Sequence, residues 1–303
     1  MPVLQVRPRG KPIQTLPESI DLLPSTATAD LYAELARRAK YSVHQLRLTK
    51  GSDGTTIANS KDITIHSTGL RDQSTIYVKD LGTQIAWRTV FLVEYLGPIL
   101  IHPLILALRP YVYPAAAKDA SQLQKLLCGL ICLHFVKREL ETLFVHRFSA
   151  ATMPLRNIFK NSFHYWVLSG LLIAVFIYSP SSAAANEANP LLLYPGLALF
   201  AAGEIANLQT HLTLKRLRSS GGTERGIPRG FLFNLVTCPN YLTETISWLG
   251  IYLVSGLSWG VLIFVVVAVV QMAQWAAKKE RRYRKEFGDK YKKKRFSMLP
   301  GIW

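Results

Sequence analysis

The chain has 303 residues, 49% of them hydrophobic, and a formal net charge of +17. Its apolar residues gather after Ile85 into runs close to the roughly 20 residues that cross a bilayer, which excludes an ordinary soluble protein. The cations fall mostly between those runs and in the tail, which sets a nucleic-acid partner aside in favour of a membrane face.

Residues 1–80 form a region of soluble composition. Met1–Gly10 has no apolar core, so no cleavable signal peptide is expected and the first membrane helix serves for insertion. Val3–Val6 and Ile13–Leu16 are short strand candidates around the turn Arg9-Gly10-Lys11. Thr28–Lys40 is helical, with Leu31, Leu35 and Ala39 on one stripe. Gln45–Lys50 and Ser74–Lys79 alternate apolar and polar residues as strands, with Ser52-Asp53-Gly54 as a turn. This order resembles the ubiquitin-like β-grasp fold, without a C-terminal di-glycine, and packing or partner binding is its expected role.

Residues 81–303 read as a polytopic helical membrane bundle of about six or seven spans. The expected spans are Ile85–Leu108, Gln122–Val136, Asn161–Tyr178, Leu191–Leu212, Pro239–Val254 and Trp259–Ala277. Pro98 and Pro103 interrupt the first, which predicts a kink or break lining a cavity. Ser255-Gly256 is the expected turn of the last hairpin. The loops at 137–160 and 213–231 are rich in Lys and Arg, whereas the loop at 179–190 has neither. The positive-inside rule then puts both termini in the cytosol, with Arg109 and Lys118 straining that assignment.

Ionisable groups within spans are costly and mark functional sites by default. Glu94 stands four residues before Pro98 and serves either function or a structural pair with Lys137 or Arg138. His134, Lys137, Arg138, Glu139, Glu141, His146 and Arg147 are more charge than a headgroup anchor needs, so part of that surface is expected to face a wet cavity. Glu204, Asn207 and His211 share one helix face that continues to Lys215 and Arg218, which suits either an anionic phosphate-bearing ligand or a solvated helix exit. Pro239 opens a helix whose first turns carry Asn240, Tyr241 and Glu244. The tail Lys278–Arg295 holds eleven Lys and Arg, fit for lipid headgroups or for a cofactor phosphate.

Cys128, Cys132 and Cys238 form no CxxC pair and read as buried small side chains; no metal site is expected. The chain has no GxGxxG after a strand, Walker loop, HExxH or GxSxG, so any nucleotide is bound without a Rossmann domain.

Four stretches, LHFVKRELETLFVHRFS from Leu133, TMPLRNIFKN from Thr152, FLFNLVTCPNYLTE from Phe231 and RRYRKEFGDKYKKKRFSMLPGIW at the end, together resemble the steroid 5α-reductase superfamily, most closely its trans-2-enoyl-CoA reductase branch. The resemblance implies NADPH-dependent reduction of very-long-chain trans-2-enoyl-CoA, the last step of fatty-acid elongation, in the endoplasmic reticulum membrane. It implies association with the elongase condensing enzyme, 3-ketoacyl-CoA reductase and 3-hydroxyacyl-CoA dehydratase.

By the same resemblance, Tyr241 is the proton donor and Glu94 the catalytic carboxyl group. Lys137 or Arg138 would support the tyrosine as a cation, since a phenol of pKa about 10 is a poor acid. Asn207, Arg218, Asn240, Lys279 and Tyr283 are the implied cofactor-binding residues. Phe135 stands where steroid-reducing members place a tyrosine for the ketone, and Lys279 where they place histidine. The competing readings are a steroid or sterol double-bond reductase of the same architecture, and a ubiquitin-like membrane adaptor without activity.

Overall fold

The computed structural model describes residues 2–114, 119–148, 150–218, 226–292 and 296–303. Lys118, part of the 213–231 loop and residues 293–295 of the basic tail lie outside the described residues. The chain divides into two compact units, one of residues 1–86 with 152–156, the other of residues 87–151 with 157–303.

In the first unit, β1 (Val3–Pro8), β2 (Ser19–Asp21), β3 (Leu46–Lys50) and β4 (Thr75–Asp80) form a sheet in the order β2-β1-β4-β3. Its outer pairs are antiparallel, and the central pair is parallel with Val6 beside Ile76. Alternation explains the fold here. Leu4, Val6, Leu46, Leu48, Ile76 and Val78 turn to one buried face. Helix α1 (Thr28–Ala39) supplies Leu31, Leu35 and Ala39 to the same core and ends on Lys40 at φ 57°. In the turn between β3 and β4, Asp53 Oδ1 accepts the Thr55 amide at 2.9 Å and its hydroxyl at 2.7 Å. Those bonds, with Lys50, hold the Asp53 carboxyl down to about 2.

The strand expected at Ile13–Leu16 is instead a turn, closed by the Leu16 amide on the Ile13 carbonyl at 3.1 Å. Pro12 and Pro17 remove ladder donors on either side of it, and Ile20, opposite Leu4, takes the pairing position. A second, two-stranded sheet joins β5 (Gln84–Ala86) to β6 (Thr152–Pro154).

The second unit is helical. It contains α2 (Trp87–Ala107), a short α3 (Arg109–Val112), α4 (Gln122–Phe144), α5 (Asn157–Ser162), a π-helical stretch Phe163–Leu172, α6 (Ile173–Tyr178), α7 (Pro190–Arg216), α8 (Pro239–Val254) and α9 (Trp259–Phe287). Among the described residues, four stretches are long and apolar enough to cross a membrane: Trp87–Ala107, Asn157–Tyr178, Pro190–Arg216 and Trp259–Lys290. Of the other two expected spans, α4 carries charge through its second half, and α8 has only 16 residues.

Helix α2 runs through both prolines, and neighbouring side chains meet carbonyls along it. Pro103 has no N–H for the Ile99 carbonyl, and Cys132 Sγ lies 3.9 Å from that oxygen. Five residues before Pro98, the Val93 carbonyl accepts from Trp166 Nε1 at 2.8 Å. A Cβ on Gly97 would meet the Trp166 ring at 2.4 Å, so glycine makes room for the indole.

Helices α7 and α8 approach backbone to backbone. A Cβ on Gly203 would meet the Ser247 amide nitrogen at 2.6 Å, and one on Gly250 the Phe200 nitrogen at 2.5 Å. Small residues are what such an approach requires between helices in lipid. Ser255 ends α8, and Gly256 at φ +67° makes the expected turn into α9.

Candidate active site

The close packing of α7 on α8 brings Asn207 against the first turns of α8. Asn207, 1% exposed, donates from Nδ2 to the Asn240 carbonyl at 2.9 Å and lies 3.3 Å from both Thr243 Oγ1 and Glu244 Oε2. Its Oδ1 accepts from Lys137 Nζ of α4 at 2.9 Å. One amide therefore joins three helices. Glu204, one turn earlier, receives Lys137 Nζ at 3.0 Å and His134 Nδ1 at 2.7 Å, while His134 Nε2 faces Glu244 Oε1 at 3.1 Å.

Arg138 points the other way around α4. It donates to Glu141 Oε2 and, through Nη2, to the Tyr95 hydroxyl at 3.1 Å, with its guanidinium 5.3 Å from the Tyr95 ring centre. His211 Nδ1 also reaches Glu141 Oε2, at 2.9 Å. Four helices, α2, α4, α7 and α8, thus share one buried charged network. Burying such groups costs several kcal/mol unless they are paired, and most of these are.

Some oxygens are left over. Glu94 Oε1, Glu139 Oε2 and Asn240 Oδ1 are buried without a hydrogen bond. Glu94 is 1% exposed, and Lys137 and Arg138 direct their hydrogen bonds to Glu141, Glu204, Asn207 and Tyr95 rather than to it. Tyr95, the residue after Glu94, accepts its hydrogen bond from Arg138. Orphaned polar atoms beside fixed cations suit a polar ligand.

Tyr241 sits in the first turn of α8, half-buried, with its ring centre 6.4 Å from that of Trp275. Lys279, Arg138, Cys238 and Tyr283 are its electrostatic neighbours. Lys279 Nζ lies 5.7 Å from the Tyr283 ring centre, and Tyr283 stacks edge-on against Tyr291 at 5.4 Å. Arg218 donates to the Arg147 carbonyl in the loop after α4. Among the described residues, Asn207, Asn240, Lys137 and Arg138 therefore meet directly or through one partner, and Lys279 and Tyr283 lie together on α9.

Glu141, His146 and His211 place one carboxylate oxygen and two ring nitrogens within 4.8 Å of one another, a spacing compatible with a divalent ion. Lys137 and Arg138 already occupy the two oxygens of that carboxylate. Sequence reasoning passed over Tyr95 and Tyr165, which surround Arg138, and Glu280, which is 3% exposed on α9. Tyr95 was signalled by its place beside Glu94. Glu280 was hidden in the charge of the tail.

These features define a multi-pass helical membrane protein enclosing a charged, hydrogen-bonded site. Residues 151–303 match the family described as 3-oxo-5-alpha-steroid 4-dehydrogenase. The chain is 43% identical over 295 residues to a Schizosaccharomyces pombe protein provisionally named an enoyl reductase, covering 96% of this chain and 97% of that one. It is 39% identical over 284 residues to the very-long-chain enoyl-CoA reductase of Dictyostelium discoideum, covering 91% and 92%. Identity to the human trans-2,3-enoyl-CoA reductase-like protein is 32% over 248 residues, covering 79% and 67%. The chain belongs to the 3-oxo-5-alpha-steroid 4-dehydrogenase family.

Proposed function

We propose that the chain reduces the α,β double bond of a very-long-chain trans-2-enoyl-CoA, using NADPH, as the final step of the fatty-acid elongation cycle. The observation that carries the reading is the buried charged network of α2, α4, α7 and α8, beside which Glu94 Oε1 and Asn240 Oδ1 are left without a hydrogen bond. Relatives named as enoyl-CoA reductases along most of the chain support the substrate class. A nicotinamide held by these residues would supply the hydride for the β-carbon.

The protein's own groups do the rest. Glu94, in its proton-bearing form, donates to the thioester carbonyl and stabilises the negative charge that forms there. Tyr241 delivers a proton to the α-carbon, and Lys279 and Arg138 favour the phenolate that remains. Asn207, buried between Lys137 and the Asn240 carbonyl, holds Asn240 in place for the cofactor. Lys279, Tyr283, Asn240 and Arg218 complete the cofactor contacts, the cations meeting phosphate charge. The unsatisfied Asn240 Oδ1 is a ready acceptor for an amide or hydroxyl donor.

The reading extends to an endoplasmic reticulum location, six spans with both termini cytosolic, an N-terminal ubiquitin-like domain in residues 1–80, and association with the other elongation enzymes. The sheet order and single covering helix support the ubiquitin-like part. Purified protein in lipid nanodiscs is expected to oxidise NADPH with a long-chain trans-2-enoyl-CoA and not with a 3-oxo-Δ4 steroid. The reverse preference would assign the chain to steroid or sterol reduction.

A further inference from the structure

The buried carboxylate of Glu280 has no part in the chemistry above, yet it is 3% exposed and surrounded by hydroxyl groups. Its Oε2 accepts from Thr237 Oγ1 and from the Tyr291 hydroxyl, the latter at 2.5 Å, and its Oε1 accepts Arg284 Nε at 3.2 Å. Thr237 and Tyr291 are also buried, at 2% and 5% exposure. An ion kept this dry must be satisfied in place, and here the satisfying groups come from three separate segments.

Those segments meet beside the candidate catalytic turn. Thr237 precedes the N-cap of α8 by one residue, and Asn240 and Tyr241 follow within four. The N-cap, Cys238, makes no side-chain capping bond, so the entry to α8 is fixed from outside the helix. The returning C-terminal segment provides that support. Val236 bridges Phe296 in parallel, the Thr237 amide donates to the Phe296 carbonyl at 3.2 Å, and the Cys238 amide donates to the Ser297 carbonyl at 3.0 Å. Met298 is fully buried, and Trp303 Nε1 donates to the Ala273 carbonyl of α9 at 3.1 Å. On the α9 side, Glu280 adjoins Lys279 in sequence and lies one turn before Tyr283.

We propose that Glu280 is a positioning residue, which through the hydroxyls of Thr237 and Tyr291 locks the start of α8, with Asn240 and Tyr241, to the turn of α9 that carries Lys279 and Tyr283. The proposal deepens, and rests on, the reductase reading above. The clamp sets where the phenol of Tyr241 stands relative to Lys279, so its loss lowers turnover more than binding.

The test compares Glu280→Leu with Glu280→Gln in the full chain in nanodiscs. It reads amide hydrogen exchange without ligand, together with kcat and the KM values for NADPH and for a trans-2-enoyl-CoA. Leucine removes the acceptor, whereas the glutamine amide oxygen still receives both hydroxyls. Glu280→Leu is expected to speed exchange in 236–242 and to lower kcat about tenfold or more, with both KM values within about threefold of the parent. Glu280→Gln is expected to restore both readouts. Unchanged exchange in 236–242 with leucine, or a loss of kcat that glutamine shares, would overturn the proposal.

If Glu280→Leu does not fold, Thr237→Val, which keeps the carboxylate and Tyr291, replaces it under the same criteria. A parent protein that oxidises no NADPH with an enoyl-CoA would overturn the reductase reading, and the exchange data alone would then decide the clamp.

Discussion

Lys137 and Asn207 share a 2.9 Å hydrogen bond between α4 and α7, and the same amide reaches on to the Asn240 carbonyl of α8 at 2.9 Å. A single side chain therefore sets the spacing of three helices at the level where the candidate catalytic residues lie. Replacing it by leucine leaves the lysine and the carbonyl without that partner, at about 1–3 kcal/mol for each group that stays dry. Asn207→Leu is expected to lower the thermal midpoint in detergent and weaken NADPH binding, and Asn207→Asp to lower the midpoint as well, because it keeps the lysine contact but sets a carboxylate oxygen against the Asn240 carbonyl and Glu244 Oε2. Thermal unfolding with and without NADPH checks both.

Tyr241→Phe removes the phenolic proton and leaves the ring against Trp275. Turnover is expected to fall about a hundredfold or more, the usual effect of losing a general acid, while NADPH affinity is unchanged. Steady-state kinetics with a binding titration separates the two. Unaltered turnover would take Tyr241 out of the mechanism.

Glu94 has a buried oxygen with no hydrogen bond and stands one residue before Tyr95, which binds Arg138. If it donates to the thioester carbonyl, Glu94→Gln retains a donor and loses part of the rate, whereas Glu94→Leu loses about a hundredfold to a thousandfold in kcat. Equal activity of the leucine and parent proteins would reduce Glu94 to a packing role.

The α7–α8 contact predicts a purely structural defect. A methyl group at position 250 would stand 2.5 Å from the Phe200 nitrogen and 2.6 Å from the Gly196 oxygen, both backbone atoms that cannot swing away. Gly250→Ala is expected to cost about 1–3 kcal/mol through overpacking, seen as a lower thermal midpoint. A rise in stability would show that the two backbones have room to separate.

Much of this site was legible because lipid makes idle charge expensive. Glu204, Asn207 and His211 at spacings of three and four had to share a face, and the structure places them against His134, Lys137 and Glu141. Glu94 was conspicuous for the same reason. Which partner each group takes was not legible, since Glu141 and Glu204 compete for Lys137 across different helices and only packing decides.

In the first unit, period-two alternation gave β1, β3 and β4, but it misplaced β2. Ile13 and Leu16 look like strand residues, but Pro12 and Pro17 flank them and Ile20 takes the pairing position opposite Leu4. The π-helical register of Phe163–Leu172 left no sign in its apolar sequence. Glu280 was masked because its partners, Thr237 and Tyr291, lie 43 positions before it and 11 after it.

The most direct test of the central claim follows the two hydrogens. Parent protein in nanodiscs is incubated with a very-long-chain trans-2-enoyl-CoA, NADPH carrying deuterium at its transferable position, and ordinary water; the labels are then exchanged, using NADPH and heavy water. The account predicts deuterium from the cofactor at the β-carbon and from solvent at the α-carbon of a saturated acyl-CoA. Absence of saturated product, or cofactor deuterium at the α-carbon, would contradict it.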